Sequence, residues 1–539
     1  MDPLPSPSPT LIKGVTPRWS RPEAFVLLAA LMAGGAFRLY RLAADGFADD
    51  EVHKWLAAVR YLHGDFGGDD VEHPMLMKSL IALCAALFPT GTSPEFLTRL
   101  PNVIAGVVTV WVVAQLGRRL FGKVAGLTGA VVYAVSVTAI GYGRIAKEDT
   151  LLGLFLLVLL WCFAEAFAAA RGGRVQAQHR WEVYGALALG GMFASKYFVF
   201  LFPIPLLCYL SLRKEGGWIL SLRRWAVLIS AALALFLALN WVVLLPATWD
   251  YMHHYIAGDH LGDRASSETY LFMGKLYNNL GFHYRDGTPS WFHLVFAAVK
   301  LAPPTAVLAF SGIVLALVRR HPAHRIVLIT LGWFALAFAV ASAKYGRYFI
   351  PLIPLFVLLA AHAAVTLSAS AGRLFSSKAV ARPCFWLLAA LLVSTELAAA
   401  VRHAPEERLY ISALGGGDSK VDFFFPHCDY FDAGVREAMA WVTANAEHGA
   451  EVASEVVWVV QYYADQAARK DLLAEPISRE SACRKGGPCY VIVQPGRLYG
   501  HNQAALERLA PDVPAHEVQV AGRPAVRVYR VSPGDALFP

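Results

Sequence analysis

Charge is what this sequence has least of. Asp, Glu, Lys and Arg together make up 16% of its 539 residues, where a soluble domain carries about 25%. Hydrophobic residues make up 56%. One soluble core cannot bury that many apolar runs, so a single all-soluble domain is excluded. The same figures exclude disorder over most of the chain. Cysteine is also sparse: seven residues, scattered along the chain, exclude a disulfide-framework protein. No repeat of 20–50 residues stands out, which argues against a solenoid. No convincing small-residue cleavage site follows the first apolar run, so that run reads as a signal anchor and not as a removed signal peptide. What remains is a polytopic α-helical membrane protein with a soluble appendage.

The chain has a formal net charge of +8. In a soluble protein this would point to nucleic acid. Here the Lys and Arg residues set membrane orientation, and no nucleic-acid partner is expected. Residues 1–22 are Pro- and Ser-rich and read as a disordered cytoplasmic tail. Apolar runs lie near 23–40, 100–117, 124–142, 150–170, 183–195, 197–212, 225–246, 291–318, 326–343, 346–368 and 383–402, giving about eleven spans in a membrane domain over 23–402. With the N-terminus inside, the inside loops hold Arg118, Arg119 and Lys123; Arg171, Arg174 and Arg180; Arg213, Lys214, Arg223 and Arg224; Arg319, Arg320 and Arg325; Arg373, Lys378 and Arg382. Outer loop 41–99 instead carries Asp45, Asp49, Asp50, Glu51, Asp65, Asp69, Asp70, Glu72 and Glu95. Every inside loop obeys the positive-inside rule. Counting 74–88 as a span would invert all later loops, so it reads as a helix at the outer interface.

Eleven spans place residues 403–539 outside, in an extracytoplasmic α/β domain. Residues 432–446 have helical periodicity, and 451–460, 489–494 and 516–531 read as strands. Cys428, Cys483 and Cys489 lie in this domain. A disulfide between two of them suits an oxidising compartment, and free or buried thiols are an equal alternative.

Charges at membrane depth default to functional hypotheses. Four clusters stand out, all on the outer face. The first is Asp49-Asp50-Glu51-Val52-His53. Adjacent carboxylates raise one pKa, which suits a general base; a solvated loop end or a helix N-terminus would hold the same acids. The second is Glu72-His73-Pro74-Met75-Leu76-Met77-Lys78. Glu72 and His73 suit a borderline divalent metal, while Pro74 also simply starts a helix. Lys78 would meet an anionic group or snorkel. The third, Arg144-Ile145-Ala146-Lys147-Glu148-Asp149, offers cations for a phosphate and Asp149 to orient them. The fourth is Lys344-Tyr345-Gly346-Arg347-Tyr348, with cations suited to an anionic head group and tyrosines that also serve as interface anchors. Lys196 adds a cation at a break between apolar runs. The outer loop 247–290 holds His253, His254, Tyr255, His260, Tyr270, His283 and Tyr284, of which His253 and His254 are candidates to complete a metal site; local hydrogen bonding explains them equally well.

Carboxylates for proton transfer and several cations for phosphate, gathered on one face, fit transfer from a lipid-linked phosphate donor. The motifs carry a resemblance. Asp50-Glu51-Val52-His53 followed by His73-Pro74-x-Leu76-x-Lys78 resembles the D-E-V-H and H-P-P-L-x-K elements of protein O-mannosyltransferases. Arg144 and Asp149 match that family's R-x-x-x-x-D. Arg99-Leu100-Pro101-Asn102 and Arg118-Arg119-Leu120-Phe121-Gly122 are similar to R-L-P-N and R-R-L-F-G of the bacterial branch. Arg347-Tyr348-x-x-Pro351-x-x-Pro354 is similar to R-Y-x-x-P-x-x-P of bacterial relatives, including the lipid A aminoarabinose transferases. The sequence departs from the pattern at Met75, which replaces a Pro, and at Lys147-Glu148, which replaces an apolar pair.

The resemblance implies a GT-C fold and an inverting hexosyltransferase fed by a polyprenyl-phosphate sugar, mannose-like, with a protein or lipid acceptor. It assigns Asp50 as base, Glu51 as its support and Asp149 as an assisting carboxylate. Arg144 would bind donor phosphate, joined by Lys78, Lys344, Arg347 and Lys196. A metal near the position of Glu72 in the aminoarabinose branch makes Glu72 with His253 or His254 a candidate divalent-metal site, with His53 and His73 nearby. The expected location is the inner (plasma) membrane with the site outside. A transporter or flippase for an anionic polyprenyl-linked lipid would use the same cations, but would spread them through the bilayer. A membrane anchor for the C-terminal domain leaves Asp50 and Arg144 without a role.

Overall fold

The computed structural model describes residues 18–67, 70–257, 269–279, 287–319, 321–341, 343–376, 378–477, 483 and 487–532. Most of the expected tail, together with Asp69, His260, His283, Tyr284 and Arg320, lies outside these residues.

Each of the eleven expected apolar runs contains a helix, though 197–212 is α-helical only from Pro203 and 291–318 is broken at Leu301 and Ala302. The first part of the chain forms α1 (Arg21–Leu39), α2 (Asp49–Leu62), α3 (Met75–Leu87), α4 (Pro94–Phe121), α5 (Lys123–Val135), α6 (Val137–Gly143), α7 (Glu148–Arg171), α8 (Val175–Ser195), α9 (Pro203–Gly216), α10 (Leu222–Leu239) and α11 (Pro246–Ala257). Further on come helices Phe292–Lys300, Pro303–Arg319, Pro322–Val340, Ile353–Leu374 and Lys378–His403. Among the described residues, seven helices are long and apolar enough to cross a membrane, and eight if the bent pair α5–α6 is one span. The other three runs fall in α8, α9 and Pro303–Arg319. The last two are 14 and 17 residues long, short of the roughly 20 that a bilayer core asks for. Helix α3 has 13 residues, which is about 20 Å at helical rise and too short to cross.

Local chemistry sets the boundaries. Ser20 and Glu23 form a capping box at the start of α1. Ser93 caps α4, with Pro94 in its first turn. Gly122, at φ +96°, ends α4. α5 then packs back against α4 at Gly126, where a Cβ would lie 2.4 Å from the Arg118 nitrogen. Close approach of this kind, through a small residue, is how membrane helices gain packing energy. On the predicted inner side, Arg119 pairs with Glu165 at 3.5 Å and Lys123 with Glu23 at 2.8 Å.

Two antiparallel strands, β1 (Thr269–Phe272) and β2 (Lys275–Asn278), form a hairpin in the loop before Phe292. The C-terminal part carries β3 (Glu451–Ser454), β4 (Leu473–Glu475), β5 (Cys489–Val493), β6 (His516–Val520) and β7 (Arg523–Val531). Their order is β4-β3-β5-β7-β6, with β4, β3 and β5 parallel and β7 antiparallel to both β5 and β6. The expected helix near 432–446 is Val435–Asn445.

The expected strand 451–460 is corrected. It stops at Ser454, and Val457–Gln466 is a helix. Val456, Val459, Val460 and Ala464 are the buried positions, and that spacing belongs to a helix face, not to a strand. The valine-rich composition hid the period. The segment 516–531 is two strands joined at Ala521 and Gly522, both with positive φ. Cys483 and Cys489 form a disulfide, and Cys428 is a buried free thiol.

Candidate functional site

The acidic end of α2 organises the site. Asp49, Asp50 and Glu51 fill its first turn, where the helix dipole favours carboxylates. Its N-cap residue is Ala48, which has no side chain to cap with. Side chains from elsewhere do the capping. Glu51 Oε2 accepts from the Ala48 amide at 3.1 Å, and Asp432 Oδ2 accepts from the Asp49 amide at 3.1 Å. Asp432 is itself gripped by Arg497, at 2.5 Å and 2.8 Å, and by Gln494 at 3.0 Å. The C-terminal domain thus holds the N-terminus of α2. Tyr463 adds to this by accepting from the Phe47 amide at 2.7 Å and donating to Glu95 at 3.0 Å.

Glu51 is fully buried. Arg99 Nη2 donates to its Oε2 at 2.6 Å and Arg99 Nε to its Oε1 at 3.0 Å, while the Ala146 amide reaches the same Oε1 at 2.9 Å. Arg99 also donates to the carbonyls of Leu42, Asp45 and Gly46. Arg99 and Glu51 therefore tie α4, α2 and the loop before α7 into one unit.

Asp50 is different. Its side chain is 34% exposed, and Lys147 Nζ contacts its Oδ2. Lys54, one turn along α2, is buried and pairs with Glu148 at 3.0 Å. Asp149, also buried, accepts from Lys196 at 2.7 Å, and Arg347 Nε lies 4.0 Å from its other oxygen. Aromatic faces cover these cations. Lys196 lies 4.5 Å from both the Phe198 and Tyr348 rings, and Arg347 lies 4.3 Å above Tyr345. Phe431 stands 5.7 Å from Lys147. Burial, then the charges of Arg347 and Lys196, pushes the Lys147 ammonium well below its ordinary value. Burial raises the cost of the Lys54 charge, and Glu148 and Asp70 more than restore it.

A second group adjoins the first. The ligand atoms of Asp70, Glu72 and His73 lie within 4.8 Å of one another. His73 Nδ1 is 2.8 Å from Asp70 Oδ1, and Lys78 Nζ is 3.5 Å from Asp70 Oδ2. Burial would raise the Asp70 carboxyl, but Lys54, Lys78 and His73 hold it far below the usual carboxylate range. The buried oxygens Asp70 Oδ2 and Glu72 Oε2 accept no hydrogen bond. Two carboxylates and an imidazole with spare oxygens fit a borderline divalent cation.

The structure brings all four sequence clusters together, but several of their members have other partners. Arg144 does not face the Asp50 group. It forks onto Glu407 at 3.0 Å and 3.2 Å and donates to the carbonyls of Tyr40 and Arg41. The reason lies beneath it. A Cβ on Gly141 would be 2.7 Å from the Arg408 nitrogen, so the linker carrying Glu407 lies directly on α6. Lys344 spends its ammonium on the carbonyls of Thr288 and Ala341, and burial lowers it to about 8. Lys78 is taken by the carbonyls of Asp70 and His73 as well as by the Asp70 carboxylate. His253 and His254 sit exposed on α11 and are not part of the group around Glu72. His53 lies 3.9 Å from Asp49 and edge-on to Trp458.

Sequence reasoning missed Lys54, Asp70 and the whole contribution of the C-terminal domain. Lys54 carried a signal, since it stands one turn after Asp50 on the same helix. Asp432 and Phe431 carried none.

The sequence model of the dolichyl-phosphate-mannose-protein mannosyltransferase family matches residues 72–243. No curated protein matches the chain. Among solved structures, the chain is similar to ArnT from Cupriavidus metallidurans bound to undecaprenyl phosphate, at 14% identity over 94% of this chain and 97% of that one, with a TM-score of 0.51. It is also similar to the Archaeoglobus fulgidus oligosaccharyltransferase in its apo form, at 12% identity over 88% and 69% of the two chains, with a TM-score of 0.56. The same enzyme in complex with Zn and sulfate matches at 13% identity over 87% and 68%, with a TM-score of 0.52. The chain thus resembles protein mannosyltransferases and ArnT-like enzymes. Its fold is the GT-C membrane fold with a small C-terminal sheet domain.

Proposed function

We propose that this multi-pass membrane protein is an inverting glycosyltransferase. It moves a mannose-like hexose from a polyprenyl phosphate to a protein or lipid acceptor, on the outer face of the inner (plasma) membrane. The observation that carries this reading is the convergence of Asp50, Lys147, Asp149, Lys196 and Arg347. They come from four separate stretches of chain and meet as one exposed carboxylate beside a buried set of cations. A transporter needs no such base.

An apolar cavity of about 900 Å³ supports a lipid-linked donor. It opens between α7, α8, α9 and α10 and is lined by Leu159, Phe193, Tyr197, Phe202, Leu206 and Phe236. Tyr197 follows Lys196 in the chain, so the cavity starts where the cations end. An isoprenoid chain in it would leave its phosphate at Lys196 and Arg347.

In this mechanism Asp50 takes the proton of the acceptor hydroxyl or amine as that atom attacks the sugar C1 from the face opposite the phosphate. The C1–O bond breaks and its electron pair leaves with the phosphate. Lys196 and Arg347 are fixed by Asp149 and by aromatic faces before the reaction starts. Preorganised charge of this kind is commonly the largest catalytic term. Glu51 and Arg99 hold Asp50 in place, and Arg144 anchors the linker through Glu407.

Asp70, Glu72 and His73 would hold a divalent cation, which would supply further positive charge beside the phosphate. Removal of metal by a chelator should lower transfer, and added Zn²⁺ should restore it. Glu72→Gln should weaken Zn²⁺ binding, read by calorimetry, about 10- to 100-fold, since a lost anionic ligand is a large fraction of such a site. Unchanged binding in that variant would remove the metal from this account.

The founding test is direct. Purified protein in liposomes is given radiolabelled polyprenyl-phosphate mannose with membrane-lipid and secreted-protein fractions. Label should pass to one fraction. Donor binding without transfer or hydrolysis would support a transporter instead.

A further inference from the structure

Transfer through Asp50, Lys196 and Arg347 gives Lys147 no part. A cation against the general base makes that base weaker. Lys147 is nevertheless buried, and Asp50 is the carboxylate its ammonium contacts. The neighbouring carboxylates are held by other cations, Glu148 by Lys54 and Asp149 by Lys196 and Arg347. Arg347 Nε is buried without a hydrogen-bond partner, 4.0 Å from Asp149 Oδ2.

The charge balance of the proposed reaction supplies a reason. Before transfer, Asp50 carries one negative charge and the donor phosphodiester carries one. As the acceptor proton passes to Asp50 and the C1–O bond breaks, Asp50 becomes neutral and the phosphate becomes a monoester with two. The total is unchanged, but one charge has moved from the carboxylate to the phosphate. A cation set between the two positions is needed at Asp50 before the step and at the phosphate after it.

We propose that Lys147 is this cation: it pairs with Asp50 in the resting enzyme and with the leaving phosphate once Asp50 has been protonated. The proposal rests on the glycosyltransferase reading and goes beyond it by giving one residue two successive partners. The geometry points the same way. Lys147 precedes Glu148 and Asp149 at the start of α7, so it lies between the Asp50 end of α2 and the Lys196–Asp149–Arg347 group. Phe431 covers it and keeps water from competing for the ammonium. With burial and two nearby cations acting against its charge, Lys147 needs an anion in contact at every stage.

The test compares two affinities in proteoliposomes: KM for the polyprenyl-phosphate sugar, which is a diester, and Ki for polyprenyl phosphate, which is the dianionic product. In Lys147→Met, kcat should fall about 100-fold, the usual scale for one lost charge-stabilising donor. Product Ki should rise about tenfold while donor KM moves less than about threefold. Lys147→Arg should recover part of kcat and most of the product affinity. In Asp50→Asn, which frees Lys147, polyprenyl phosphate should bind several-fold more tightly than to wild type. Equal rises in KM and Ki would make Lys147 an ordinary phosphate anchor and overturn the proposal. A fall in kcat with Ki unchanged would overturn it too, since Lys147 would then only orient Asp50. If Lys147→Met does not fold, as read by gel filtration and melting, the Asp50→Asn affinity decides alone, and no tightening refutes the switch. Absence of transfer by wild type would bring down the glycosyltransferase reading itself, which these variant outcomes do not.

Discussion

Asp50→Asn should lower kcat by about 10³-fold, within the range general-base catalysis commonly supplies, while donor affinity stays within about threefold. Five carboxylates gather where α2 and α7 begin, and burial sets three of them apart. Glu51, Glu148 and Asp149 are buried and held by Arg99, Lys54 and Lys196. Such carboxylates cannot reach an acceptor. Asp49 and Asp50 are each 34% exposed, but only Asp50 is contacted by Lys147, while Asp49 lies 3.9 Å from His53. Asn keeps its size, so the surrounding structure should survive the change. What is lost is the capacity to take a proton. A carboxylate base works only when ionised, so wild-type kcat/KM should fall as pH drops through its titration. That fall is the acid limb of the profile. The residual activity of Asp50→Asn should lack this limb. Steady-state kinetics over a pH series, with donor binding measured separately, checks both claims. A variant retaining more than about a tenth of wild-type kcat would transfer the base role elsewhere, since such a loss is below the general-base range.

Which charges the fold gathers into one group was legible in the sequence because charge is scarce in an apolar chain. Asp50, Asp149, Lys196 and Arg347 stood out for that reason, and loop sidedness placed them on one face. Their pairing was not legible. Arg144 and Asp149 lie five residues apart and look like one motif. Yet the turn between α6 and α7 sends Arg144 to Glu407 and Asp149 to Lys196. Nothing local to Arg144 reports a carboxylate 263 positions away. The helices were legible because twenty apolar residues have few alternatives. Val457–Gln466 was misread because β-branched composition outweighed a helical burial period. Asp432 was invisible for a further reason. Its role is to cap a helix whose own N-cap is alanine, and a missing local cap does not say where the substitute comes from.

The second large effect is expected at Arg99. Removing its side chain, as in Arg99→Leu, should cost about 3–5 kcal/mol of stability, because breaking a buried pair strands the other charge. The stranded group is Glu51, which has no exposure through which to regain water. Three carbonyls, of Leu42, Asp45 and Gly46, would lose their donor as well. Those carbonyls belong to the turn that leads from α1 into α2, so Asp50 would lose its position together with the stability. Transfer should therefore fall by more than about 100-fold, since misplacing a catalytic group by about 1 Å can cost that much. Arg99→Lys should not rescue either quantity. An ammonium cannot serve a carboxylate bidentately and three carbonyls from one planar fork. The double variant Arg99→Met with Glu51→Gln separates the two effects. It removes the stranded charge, so part of the lost melting temperature should return. Activity should not return, because the turn before Asp50 still lacks its donors. Melting in detergent and transfer in liposomes, measured on the same preparations, decide the matter. If activity recovers in step with stability, Arg99 serves folding alone, and the position of Asp50 is set instead by Asp432 and Tyr463 from the C-terminal domain.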